Sequence, residues 1–152
     1  MMAKSSAGLI VVGADGSPLS IGALQWAARQ ASFTGAEVHV VTGFYIPITV
    51  FIVPTYTDAD YARDAQTMLT HTIEQAFGSQ PPQVPITTAL LEQRPAQALT
   101  GAAAANDADL LVVGSHGQGE VLPGMHLGSV AGYCVHHAPC PVLVYRGEHT
   151  GR

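Results

Sequence analysis

The chain has 152 residues, a formal net charge of −5, 47% hydrophobic residues and 11% charged residues. That length and balance describe one globular domain with a full core, and exclude a disordered chain. No apolar run approaches the ~20 residues that span a bilayer, no basic patch follows a nucleic-acid backbone, and the two cysteines, Cys134 and Cys140, make no disulfide framework.

In chain order, GLIVVGA (Gly8–Ala14) is a short β-branched run ended by turn residues, and predicts a strand buried on both faces. The preceding residues carry no convincing secretory signal, so a cytoplasmic location with neither membrane nor nucleic-acid partner is expected. Asp15-Gly16-Ser17-Pro18 then makes a turn and a helix start, with Ser17 as N-cap and Pro18 at the first helical position. Ile21, Leu24, Ala28 and Ala31 recur at helical spacing until Gly35 stops the helix. A second strand is predicted over Ala36–Phe44. The apolar, two-proline stretch Ile46–Asp58 has no single placement; a lid, a hairpin and a contact surface all fit it.

A long helix starts at Asp58, with Ala62, Ala65, Leu69, Ile73, Ala76 and Phe77 on one stripe, and Gly78-Ser79-Gln80-Pro81-Pro82 breaks it. Val84–Leu91 is a third strand, Pro95 opens an alanine-rich helix through Ala105, and Asp109–Gly114 is a fourth strand. The segment GSHGQGEVLPGMHLGSV (Gly114–Val130) leads into a helix ending near His137, and Val142–Arg146 is a fifth strand. Strand–helix alternation of this kind predicts an α/β fold: a mostly parallel, Rossmann-like open sheet of five strands with helices on both faces.

In such sheets ligands sit beyond the carboxyl ends of the strands, where neighbouring connections diverge. Two connections qualify: Ala14-Asp15-Gly16-Ser17 and the glycine-rich segment. If the first and fourth strands are neighbours, both face one crevice. Glycines there leave backbone N–H groups unobstructed, and Gly128-Ser129 opens a helix where orphan donors and the dipole favour an anion. Four charge-assisted hydrogen bonds at about 1.5–3 kcal/mol each, discounted for ordering, reach the roughly 8 kcal/mol of a micromolar site. A Walker-type loop is excluded, because Lys4 is the only lysine, and G-x-G-x-x-G fails because Leu122 occupies its last position.

Plainer readings stand beside these. The glycines also serve as turn punctuation, and Asp15 also reads as a helix cap. Ser115-His116 lacks the sharp G-x-S-x-G elbow of a nucleophile. Cys134, His136, His137 and Cys140 match no common zinc spacing, and core and surface packing accounts for them.

The chain resembles the universal stress protein family, ATP-binding branch, over nearly its whole length. The resemblance rests on VVGADGSPLSIGALQWAA, ADLLVVGSHGQG and LGSVAGYCVHHAPCPVLVYR. It implies a sheet order 3-2-1-4-5 and a site for ATP, or for ADP or AMP, with Mg²⁺ accompanying the nucleotide. By that resemblance Asp15 meets the ribose or a metal-bound water, and main-chain groups of Ala14, Thr42 and Gly43 line the adenine pocket. Gly114, Gly117, Gly128, Ser129 and Val130 cradle the phosphates, flanked by Ser115 and His116. The family spaces its second and third glycines nine residues apart; here Gln118–Leu127 is one residue longer, and His116 stands where arginine is common. The family commonly dimerises, and strand 142–146 is the edge through which a homodimer is expected to pair.

The resulting expectation is an adenine-nucleotide-binding regulatory protein of stress physiology without catalytic residues. The alternatives are a dimeric interaction module with a collapsed loop, and a slow ATP hydrolase or self-phosphorylating protein.

Overall fold

The computed structural model describes residues 8–47, 56–117 and 127–147. Five strands alternate with four helices: β1 (Leu9–Gly13), α1 (Pro18–Thr34), β2 (Glu37–Phe44), α2 (Asp58–Phe77), β3 (Ile86–Glu92), α3 (Pro95–Ala105), β4 (Leu110–Gly114), α4 (Ser129–His137) and β5 (Val142–Tyr145). All pairings are parallel, in the order β3-β2-β1-β4-β5. β1 is central, with Val11 opposite His39 on β2 and Leu111 on β4.

Because successive side chains on a strand point to opposite faces, two cores form. Ile10, Val12, Val38, Val40 and Val112 pack with Ala23, Leu24, Ala27 and Leu69 on the α1–α2 side. Val11, Val41, Leu111 and Val113 pack with Ala98, Leu99, Ala131 and Cys134 on the α3–α4 side. No helix among the described residues is long and apolar enough to cross a membrane.

The helix signals act as expected from local chemistry. Ser17 caps α1 by accepting from the Ser20 N–H, and Gly35 closes it at φ 79°, where an L side chain is strained. Thr57 caps α2 in a reciprocal capping box with Asp60, whose carboxyl is held below its ordinary range chiefly by the Thr57 backbone N–H. The buried face of α1 is rotated from the expected stripe: Ser20, Ala23, Leu24, Ala27 and Ala31 are buried, while Ile21 and Ala28 are half-buried. On α2 the fully buried Thr72 joins Ala65 and Leu69.

Strand ends differ for reasons visible in the hydrogen bonds. β3 starts at Ile86, because Pro85 has no N–H; its carbonyl accepts from the Val38 N–H at 3.0 Å. Asp109 clasps β1 from outside the strand, its Oδ2 accepting from the Leu9 N–H at 2.7 Å. β5 ends at Tyr145, leaving Arg146 beyond it. Most of the Ile46–Asp58 stretch, residues 48–55, lies outside the described residues.

Gly43 on β2 marks a close approach of α3 to the sheet. A Cβ there would sit 2.7 Å from Ala98 Cβ, 2.8 Å from Pro95 Cα and 2.9 Å from the Gln93 carbonyl oxygen. Gly43→Ala is therefore expected to cost about 1–3 kcal/mol of overpacking, read as a lower urea midpoint with unchanged slope; an unchanged midpoint would refute the contact. Burial, aided by the nearby Cys140, pushes the Cys134 thiol up to about 11. The unfolded thiol loses its proton first, so stability should fall as pH rises from about 9 towards 11. Comparing Cys134→Ala with the parent checks this: the variant should lose that part of the alkaline slope.

Candidate functional site

The β1–β4 pairing sets the β1–α1 and β4–α4 connections side by side at the carboxyl edge of the sheet. A cavity of about 300 Å³ opens there, walled by both connections and by residues of β2, α2 and α3.

The β1–α1 connection is held rigidly by bonds that no local pattern specifies. The Ala14 N–H donates to the Val41 carbonyl at 3.0 Å, and the Thr42 hydroxyl donates to the Ala14 carbonyl at 2.8 Å. Asp15 Oδ1 accepts from the Ser17 N–H at 2.9 Å, the Asp15 N–H donates to Ser20 Oγ at 3.3 Å, and Gly16 turns the chain at φ 81°. The Gly16 N–H donates to Thr72 Oγ1 at 3.0 Å, and that hydroxyl donates to the Met68 carbonyl at 2.8 Å. A threonine in the middle of α2 thus pins a turn 56 residues away in sequence. Asp15 combines both readings of the sequence: it props the helix-starting turn and borders the cavity.

The β4–α4 connection is fixed at both ends. The Ser115 N–H donates to the Tyr145 carbonyl at 2.8 Å, extending the β4–β5 ladder by one bond, and the Ser115 carbonyl accepts from the Gly128 N–H at 2.7 Å. Gly128 is extended (φ −71°, ψ 175°) and its carbonyl accepts from the Gly132 N–H at 2.9 Å, starting α4. The first turn of α4 presents Val130 and Ala131 to the cavity. Helix N-termini leave their first N–H groups without intrahelical partners and carry about half a positive charge. His116 borders the same space, and its Nδ1 is buried without a hydrogen-bond partner among the described residues. The extra residue of the long spacing lies in 118–126, outside the described residues.

Of the residues singled out in the sequence, Ala14, Asp15, Gly43, Gly114, His116, Gly117 and Val130 line the cavity. Thr42 does not: its hydroxyl is turned onto Ala14, and the Ala14 N–H and C=O are both engaged with β2. Ser115 does not either; it is a buried strut between β5 and α4. Gly128 and Ser129 stand behind the lining, at the start of α4. Gly13, Ser17, Ser20, Val41, Met68, Pro95, Leu99, Val113 and Ala131 line the cavity without having been singled out. Pro95 follows from the close approach at Gly43, a helix-opening proline meeting a strand glycine, and Leu99 from the approach of α3 to Gly13 on β1. Met68 has no sequence signal, because its position depends on how α2 lies across the sheet.

The lining chemistry is apolar towards β2 and α3, with Val41, Pro95 and Leu99, and polar towards the two strand-end connections, with Asp15, Ser17, Ser20 and His116. Cys134, His136 and His137 do not converge: the cysteine is buried, both histidines are exposed, and the His137 ring lies 4.3 Å from that of Tyr133. Among the described residues no group of three or more His, Cys, Asp or Glu is placed to hold a metal ion.

Comparison with known proteins agrees with this architecture. A universal stress protein of Mycobacterium tuberculosis is 35% identical over 137 residues, covering 90% of this chain and 45% of that protein. One from Thermus aquaticus is 47% identical over 57 residues, 38% of this chain and 41% of that one. The chain thus spans less than half the length of these curated relatives. Among solved structures, a universal stress protein in complex with cAMP superposes with a TM-score of 0.62 at 24% identity, covering 95% of this chain and 100% of that one. The Archaeoglobus fulgidus universal stress protein in complex with dAMP gives 0.68 at 20% identity, covering 94% and 100%. At those identities the likeness is one of fold. Residues 8–146 match the Universal stress protein family, and with the sheet order and the paired strand-end connections in place, the chain belongs to that family.

Proposed function

We propose that this chain is an adenine-nucleotide-binding regulatory protein of stress physiology, taking ATP, ADP or AMP, with Mg²⁺ accompanying the polyphosphate forms. The observation that carries the reading is a polar atom at the cavity that has no partner among the described residues. His116 Nδ1 is buried at the cavity beside the first turn of α4. Burying such a group without a hydrogen bond costs about 1–3 kcal/mol, and a ligand oxygen accepting there would recover it.

The division of the cavity fits the two halves of a nucleotide. The apolar side, Val41, Pro95 and Leu99, suits a planar base; Asp15 lies between, within reach of a sugar hydroxyl; Gly117 and the start of α4 offer backbone donors to phosphate. The cavity volume of about 300 Å³ matches the lower end of small-molecule sites, about 300–1,000 Å³. Two solved relatives of the same fold are complexes with cAMP and dAMP. Partners would read a filled or an empty site.

Dimerisation through β5 belongs to the same proposal. β5 is an edge strand, and its Pro141 and Tyr145 carbonyls bond β4. By alternation the main-chain groups of Val142 and Val144 face away from β4, on the side where no described strand pairs, and would pair there with a second copy.

Denaturing the purified protein should release an adenine nucleotide, and adding one to stripped protein should raise Tm in a concentration-dependent way. No released nucleotide together with no shift for any adenine nucleotide, with or without Mg²⁺, would refute the reading. Sedimentation should find a dimer that Val144→Pro converts to a folded monomer; a parent that sediments as a monomer refutes the β5 interface.

A further inference from the structure

We infer that the cavity selects among adenine nucleotides by charge, taking a monophosphate such as cAMP or AMP in preference to metal-free ATP, and that His116 sets this limit. The inference rests on the cavity being the nucleotide site and adds which nucleotide it favours.

It follows from where the cations are. The chain has only six Lys and Arg residues, and the glycine-rich segment from Gly114 to Gly128 contains none of them. Of the described ones, none lines the cavity. Arg29 lies twelve residues after the Ser17 cap, about 18 Å down α1 at 1.5 Å per residue. Arg63 pairs with Asp60. Arg94 holds its guanidinium carbon 4.5 Å above the Tyr45 ring. Arg146 is exposed, past the end of β5.

Among the described residues, the cavity's charges are the Asp15 carboxylate and the half-charge at the start of α4. Together they leave about half a negative charge. One phosphate charge is accommodated through directed bonds, from the α4 donors and His116 Nδ1, rather than through net attraction. Each further charge enters a half-enclosed space with no fixed cation to meet it, and it repels Asp15 at a dielectric below that of water. Among the described residues, His116 is the one lining side chain with a basic nitrogen. Mg²⁺ removes two of the excess charges of ATP, so the magnesium complex is expected to bind between the two extremes.

Titration calorimetry on stripped full-length protein at pH 7.5 decides the matter, with adenosine, cAMP, AMP, ATP in EDTA and ATP with Mg²⁺ as probes. The expected order has cAMP at least tenfold tighter than metal-free ATP. His116→Arg should tighten metal-free ATP at least tenfold while leaving adenosine within about twofold. Metal-free ATP binding as tightly as cAMP, or a His116→Arg protein that folds and keeps the parent ratio, overturns the inference. Should His116→Arg fail to fold, salt dependence of the parent decides. Raising NaCl from 50 to 500 mM should leave metal-free ATP binding unchanged or stronger; the steep weakening of a cation-held polyphosphate overturns the inference. If none of the probes binds, adenosine included, the nucleotide reading itself falls and takes this one with it.

Discussion

The parallel pairing of β1 with β4 is the constraint from which the rest of the molecule follows. It places Ile10, Val11 and Val12 opposite Leu110, Leu111 and Val112, in the middle of a sheet covered on both faces. A right-handed crossover must then leave β1 on one side and β4 on the other. Their connections part above the sheet, and the space between them cannot be filled by either helix. The cavity is the geometric residue of that divergence, and neither connection could form it alone.

What keeps the cavity open is a set of bonds that use up the nearby polar groups. The Ala14 main chain is engaged with Val41 and Thr42, Gly16 with Thr72, and Ser115 with Tyr145 and Gly128. Each of these groups would otherwise seek partners inside the space or collapse onto it. With them spent, the described lining is left with apolar surface on one side and a short polar border on the other, while His116 Nδ1 is buried without a partner among the described residues. Bonded walls with such a group are what the proposed nucleotide site requires, since a buried polar atom is costly until something meets it.

Recognition by main-chain donors carries a consequence that recognition by lysine does not. A helix terminus offers directed hydrogen bonds but only a fraction of a charge, and Asp15 opposes even that fraction. In the proposed reading such a site would fix where a phosphate sits while remaining sensitive to how much charge it brings. The low content of charged residues in this chain, 11%, has the same result at the level of the whole molecule: Arg63 and Arg94 are engaged by Asp60 and Tyr45, and neither lines the cavity.

The sequence by itself determined the element order and most helix boundaries, because their causes are local. Ser17-Pro18, Thr57 with Asp60, and Pro95 start helices through their own dihedral preferences and hydrogen bonds, and Gly35 and Gly78 end them the same way. The alternation of apolar strands with helices fixed a parallel α/β sheet, while the strand order itself came from the family resemblance. Only the tertiary structure decided which face of α1 is buried, since its small residues pack equally well over a range of rotations. It alone turned Thr42 and Ser115 into struts, and it brought Met68 and Thr72 to the site. Those outcomes depend on partners tens of residues distant, such as Gly16 with Thr72 and Leu9 with Asp109, and a side-chain hydroxyl carries no local sign of which distant carbonyl or amide it will meet.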